Sequence, residues 1–226
     1  MTYSKVIAID GPSGSGKSTI AQLVAKQLGH LYIDTGAMFR GIGLHLTNKN
    51  IDEGNIEAIS HELSKMEFIY GASDNELIVI DGENLSSAIR QHHVSDIASR
   101  YSKVQIIRDY LMTFQRNLVS SSPCVMEGRD IGTVIFPDAY LKIFLTATDN
   151  VRALRRQRQL LEKGEEVSID QLIKDIRERD ERDSKRDIAP LAKADDACEI
   201  LTDDLSIDEV IAKIIELECQ YNGRLN

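Results

Sequence analysis

The sequence predicts an α/β fold: a parallel sheet flanked by helices, with a small β-rich insert and a charged helical segment added. Three observations carry this. The run "KVIAID" (Lys5 to Asp10) is short, apolar and closed by Gly-Pro, the pattern of a strand buried on both faces. It leads through the Gly/Ser-rich stretch "GPSGSGKST" straight into "KSTIAQLVAKQLG", where Ile20, Leu23, Val24 and Leu28 fall at helical spacing. A second strand and helix follow at once, and the order β-loop-α-β-α favours parallel strands joined by crossover helices.

The remaining elements follow in order. Gly29 stands where a helix C-terminal cap belongs. "LYID" (Leu31 to Asp34) reads as the second strand and "GAMFRGIGLHL" as the second helix. The β-rich runs "MEFIY" and "ELIVID" enclose the turn-like cluster "GASDN" and predict a hairpin. A hairpin interrupting a βα series marks an inserted subdomain, so 64–102 is separated from a core of 1–63 and 103–226. A helix over Val104 to Val119 comes next, then core strands at "CVMEG" and "LKIFL" and a last short strand at "ACEILT". Ser206 and Glu209 form a capping box that opens the final helix.

Composition narrows the function. With 226 residues, 42% of them hydrophobic, the chain can build a real core. Its 36 acids against 27 Lys and Arg give a net charge of −9, which argues against nonspecific nucleic-acid binding. Any phosphate site must therefore concentrate positive charge locally. Residues 152–187 hold 11 of the 27 basic residues, with 10 acids among them. Cys124, Cys198 and Cys219 are scattered and odd in number, which reads as buried thiols in a reducing compartment. His92 and His93 are adjacent, lack the spacing of a helical metal pair, and read as surface residues. Without an 18-residue apolar run or a signal-peptide pattern, the expected location is the cytoplasm, away from membranes.

Gly11-x-x-x-x-Gly16-Lys17-Ser18 is the spacing of a phosphate-binding loop, the P-loop, with a strand before it and a helix after it. Gly11, Gly14 and Gly16, with Ser13 and Ser15 between them, allow successive N–H groups to turn around phosphate oxygens. The helix opening at Lys17, Ser18 and Thr19 aims its positive end at the same place. Lys17 supplies a point charge for the outer phosphates, and the Ser18 hydroxyl suits Mg²⁺. A Gly/Ser linker has no need of Lys-Ser-Thr opening a patterned helix. The predicted ligand is a nucleoside triphosphate.

The use of that triphosphate is a separate matter. A GTPase would need DxxG, which is absent, and NKxD, which "NKNI" at Asn48 fails at its fourth position. A nucleic-acid-dependent ATPase would want a basic, aromatic-bearing face, whereas this chain is acidic and has no Trp. A small anionic phosphoryl acceptor fits better, because transfer between two anions needs fixed cations around the in-line oxygens. Candidate arginines are Arg40, Arg129, Arg177, Arg179, Arg182 and Arg186. The 152–187 segment reads equally as a mobile lid and as a solvated helix laced with ion pairs; the phosphate loop tips the balance to a lid.

"IDGPSGSGKST", "DTGAMFR", "EGRDIGTVIFPDA", "KIFLTA" and "RDERDSKRDIAPL" occur in the order found in bacterial cytidylate kinases, which the chain resembles from about Ile9 to Ile211. The resemblance implies phosphoryl transfer from ATP to CMP or dCMP with Mg²⁺. It implies a P-loop core, a nucleoside-monophosphate-binding insert and a lid. Thr35, Arg40, Arg129 and Arg186 resemble the holders of the acceptor phosphate. Ser99, Arg108 and Asp130 resemble the readers of cytosine, a sensible complement to its N4 donor and N3/O2 acceptors. Arg179 and Asp183 resemble the pair that meets the acceptor's sugar, although Asp183 serves equally as an ion-pair partner in the lid. Glu127 stands where Asp is common and is expected to meet Mg²⁺ through a water. Asp34 reads evenly as a Mg²⁺-water ligand or as a helix cap. An ionised phosphate acceptor needs no general base. The alternative, a related P-loop kinase for another nucleotide or a small alcohol, would need one, and Asp34 would be the candidate. The expected partners are small nucleotides, and the expected state is a monomer.

Overall fold

The computed structural model describes residues 5–73, 75–91, 93–119, 122–162 and 164–225, with side chains as far as 221. In chain order its elements begin β1 (Val6–Asp10), α1 (Lys17–Leu28), β2 (Leu31–Asp34), α2 (Thr35–Asn48), α3 (Ile56–Lys65), β3 (Phe68–Ser73), β4 (Glu76–Ile80) and β5 (Glu83–Asn84). They continue with α4 (Val94–Tyr101), α5 (Gln105–Leu118), β6 (Cys124–Gly128), a π-helical turn (Ile131–Ile135) and β7 (Leu141–Thr146). The last are α6 (Asp149–Leu161), α7 (Ile169–Ser184), β8 (Cys198–Leu201) and α8 (Ile207–Leu225). The chain divides into two compact units: Met1–Ile33 with Val119–Asn226, and Asp34–Leu118.

The first unit is built on a sheet of order β2-β6-β1-β7-β8. β1 pairs in parallel with both β6 and β7, and β7 pairs in parallel with β8. A central strand flanked in this way has no solvated face, which is why "VIAID" is apolar throughout and wholly buried. Ile7 and Ile9 of β1, Ile143 and Leu145 of β7, Ile20 and Val24 of α1, and Val210 and Ile214 of α8 share one core. Gly29 ends α1 in the left-handed region, its N–H returned to the carbonyls of Ala25 and Lys26. The capping box is present: Ser206 N donates to Glu209 Oε2 at 2.8 Å, and Glu209 N to Ser206 Oγ at 3.3 Å. The parallel register sets Asp10 beside Gly128, so the phosphate loop and the segment after β6 leave the sheet together at its C-terminal edge.

α6 and α7 pack through Ala153, Leu160, Leu172 and Ile176. The charged segment thus has an apolar seam, but it lies before Arg177, in the less charged part. Cys124 is buried, and burial pushes its thiol up to about 12. The reading of three buried thiols needs correction, since Cys198 is half-buried and Cys219 is exposed on α8. No helix among the described residues is long and apolar enough to cross a membrane.

The second unit carries the hairpin. β3 and β4 pair antiparallel and β5 adds a third strand; Asp74, of the cluster read from sequence as a turn, lies outside the described residues. Phe68 of β3 meets Phe114 of α5 edge-on, with centroids 4.9 Å apart. α2 lies close against β4 and α4. A Cβ on Gly41 would stand 2.6 Å from Ile78 Cγ2, and one on Gly43 3.0 Å from Ile97 Cγ2. These contacts make the unit wider than the 64–102 segment singled out from sequence. On α3, buried Glu62 accepts from Lys49 and Lys65 and pairs with His45 at 2.8 Å. Burial opposes its charge, but these three partners outweigh it and hold the carboxyl down at about 2. His93 is exposed, as read; His92 lies outside the described residues.

Candidate active site

The phosphate loop joins β1 to α1. Gly11, Gly14 and Gly16 have φ of 150°, 76° and 94°, backbone that side-chain-bearing residues rarely adopt. A Cβ on Gly11 would stand 2.0 Å from the Leu145 carbonyl oxygen, so the chain turns hard against β7. Gly16 provides no side-chain cap for α1, and no acid occupies the first turn. The first amides of α1 therefore remain for an anion, and the donor set fits a polyphosphate. Lys17 is buried; its Nζ donates to Pro12 O at 2.7 Å and lies 3.4 Å from Ser15 Oγ. Burial, then the nearby Arg129, pulls this ammonium well below its ordinary value, while Glu127 and Asp10 oppose the shift. Ser18 and Thr19 are exposed at the start of α1.

Around this loop the first unit gathers charged groups from β6 and α7. Glu127, buried near the end of β6, accepts from Tyr32 Oη at 2.7 Å. Arg129 Nε donates to Asp183 Oδ2 at 3.0 Å, and Arg179 Nε lies 4.0 Å from the same oxygen. Arg179 Nη1 also donates to Ser13 Oγ at 3.2 Å, joining α7 to the loop. Arg186 Nη2 approaches Asp130 Oδ1 at 3.5 Å. Burial resists the Asp183 charge, but Arg129, Arg179 and Arg186 outweigh it and hold the carboxyl below its usual range. Arg177 pairs with Asp149 on an exposed face, and Lys185 pairs with Glu181 in the same way.

Three residues of this region escape a reading of the sequence. Arg152 is buried; it donates to Ser13 O at 3.0 Å and pairs with Asp149 and Asp180. Arg155, on the same face of α6, donates to Ser15 O at 3.4 Å and to Thr202 Oγ1 at 2.9 Å. Their three-residue spacing is the sole sequence signal, and it is diluted by neighbouring arginines. Asp10 ends β1 and is buried. Burial first, with Asp130 adding to it, raises its carboxyl to about 6 against two backbone hydrogen bonds that oppose the shift.

The other candidates lie in the second unit. Asp34 caps α2, Oδ1 accepting from Ala37 N at 2.8 Å, and Oδ2 pairs with Arg40 at 2.9 Å. Thr35 is buried at the start of α2. Arg108 is buried on α5, donates to Ser102 O at 3.0 Å, and stacks its guanidinium 5.4 Å from the Phe39 ring centroid. The Ser99 hydroxyl, buried on α4, has no hydrogen-bond partner among the described residues.

A phosphate loop at the tip of a central parallel strand, ringed by arginines from a charged helical pair, defines a P-loop kinase. The cytidylate kinase family model matches residues 7–220, and the chain belongs to that family. It is 47% identical over 212 residues to a cytidylate kinase of Caldicellulosiruptor saccharolyticus, covering 93% of this chain and 94% of that protein. It is 44% identical to a cytidylate kinase of Thermosipho melanesiensis, with coverage of 93% and 95%. A gluconokinase structure from Sinorhizobium meliloti shares the fold, with a TM-score of 0.50 at 14% identity, over 100% of this chain and 97% of that one.

Proposed function

We propose that the protein transfers the γ-phosphoryl group of ATP to CMP and dCMP, giving ADP with CDP or dCDP. The observation that carries this is the gathering of Arg129 and Arg179 about Lys17 of the phosphate loop, with Arg186 beside Asp183 and Asp130, in a chain whose net charge is −9. An oxygen of the acceptor phosphate attacks Pγ in line, the bond from Pγ to the β-bridging oxygen breaks, and that oxygen leaves on ADP. The attacking oxygen is already ionised at neutral pH and the bridging oxygen gains its charge only as it leaves, so the protein supplies position and charge rather than a base.

In this reading the amides of Gly11 and of Ser13 to Thr19, with the Lys17 ammonium, hold the donor's phosphates. By family resemblance Arg129, Arg186, Arg40 and Thr35 are assigned to the acceptor's phosphate, and Arg179 with Asp183 to its sugar. Asp183 also keeps Arg129 and Arg179 aligned. Asp130, Ser99 and Arg108 are assigned to cytosine. The Ser99 hydroxyl without a partner supports its role, because a buried polar atom is costly unless something completes it. Ser18 and Glu127 are oxygen donors of the kind Mg²⁺ takes, Ser18 directly and Glu127 through a water. When bound, the ion neutralises polyphosphate charge. An alcohol acceptor would need Asp34 as base, but both its oxygens are engaged, by Ala37 N and Arg40, so Asp34 is assigned to capping. The protein is taken to work as a cytoplasmic monomer on free nucleotides, without nucleic acid.

The test is an acceptor panel: ADP release from Mg-ATP with CMP, dCMP, UMP, AMP and GMP. CMP and dCMP are expected to lead. Equal or faster turnover of AMP refutes the assignment of the base-reading residues.

A further inference from the structure

We infer that Asp10 is a positioning residue for the acceptor, acting through two backbone hydrogen bonds on the segment that carries Arg129 and Asp130. The inference rests on the function proposed above. Asp10 ends β1 beside the phosphate loop, yet the transfer just described gives it no part.

Its carboxylate is buried and engaged by the segment after β6. Oδ1 accepts from Ile131 N at 2.9 Å and Oδ2 from Gly132 N at 2.7 Å. Those are the first amides of the π-helical turn Ile131–Ile135, which have no partner within the turn itself. The residue in the N-cap position is Asp130, a residue type well suited to satisfy them with its own side chain. It does not: the turn has no cap hydrogen bond from Asp130. Asp10 does that job from 121 and 122 positions away in the chain. The Asp130 carboxylate is thereby kept for other bonds, one of them toward Arg186 at 3.5 Å.

The clamp is tight on its far side as well. A Cβ on Gly132 would stand 3.1 Å from Lys142 Cδ and 3.5 Å from Asp10 Oδ2. Lys142 is itself buried and held by Pro137 O and Asp196. Two forked charge-assisted hydrogen bonds from the central strand therefore fix the peptides immediately after Arg129 and Asp130. Errors of an ångström in such residues are expensive for a reaction that depends on alignment.

The test is the Asp10→Asn variant, which keeps size and turns an acceptor into a donor facing an N–H. KM for CMP is expected to rise about tenfold, and the preference for CMP over UMP to shrink by a similar factor. KM for ATP is expected to stay within about twofold, although Asp10 adjoins the donor's loop. Gly132→Ala disturbs the same clamp from the opposite side, leaves β1 and the phosphate loop untouched, and is expected to give the same split. A parallel rise in both KM values, or no change in that for CMP, overturns the inference. If Asp10→Asn does not fold, Gly132→Ala decides by the same criteria; failure of both to fold makes Asp10 a stability residue alone and also overturns it. Wild-type protein inactive on CMP would instead refute the proposed function, and that result is read before any variant is made.

Discussion

At Ser99, the proposed recognition of cytosine and the stability of the fold pull in opposite directions. Its hydroxyl is buried without a hydrogen-bond partner among the described residues, a state that costs folding free energy until a ligand completes it. Ser99→Ala is therefore expected to hold or raise the stability of the ligand-free protein by up to about 1 kcal/mol, while raising KM for CMP. Thermal melting and steady-state kinetics on one preparation check this. A less stable variant with unchanged KM would show that Ser99 serves packing only. Lys17 and Ser18 were legible because a phosphate loop is written in contiguous residues whose types each have a local reason. Arg152 and Arg155 were not, because their carbonyl partners, Ser13 and Ser15, lie some 140 positions earlier.

The elements show the same division between near and far. β1, α1 and the hairpin of β3 and β4 could be read from periodicity and turn residues, since their signals lie within the element. The π-helical turn after Asp130 could not, because its capping carboxylate comes from Asp10. The reach of the second unit, Asp34–Leu118, also depends on distant contacts, such as Gly41 against Ile78. α3 is tied to α2 by buried Glu62, which meets His45 and Lys49. Its carboxyl lies at about 2, below the usual 4.5, so its contribution to stability is present above pH 4.5 and is lost as pH falls toward 2. Glu62→Gln is expected to cost about 1–3 kcal/mol at pH 7 and to flatten the fall in stability between pH 5 and 2. Denaturant titrations across that range check it; a variant with the wild-type pH slope would assign the slope to other carboxylates.

For the molecule as a whole, the governing fact is the contrast between an acidic chain and a cationic centre. In the proposed function, repulsion from the remaining surface does not prevent nucleotide binding, because Lys17, Arg129, Arg179 and Arg186 would act at contact distance whereas the other charges are screened within about 8 Å at physiological salt. Charges from β6 and α7 are tied to the loop, so the account requires donor and acceptor phosphates to share one set of cations. A molecule joining adenosine to cytidine through a polyphosphate bridge tests this most directly. Titration calorimetry with Mg²⁺ should show one such molecule bound per chain, more tightly than ATP, and displaced both by ATP and by CMP. Binding no tighter than that of ATP, with displacement by ATP alone, would contradict the account.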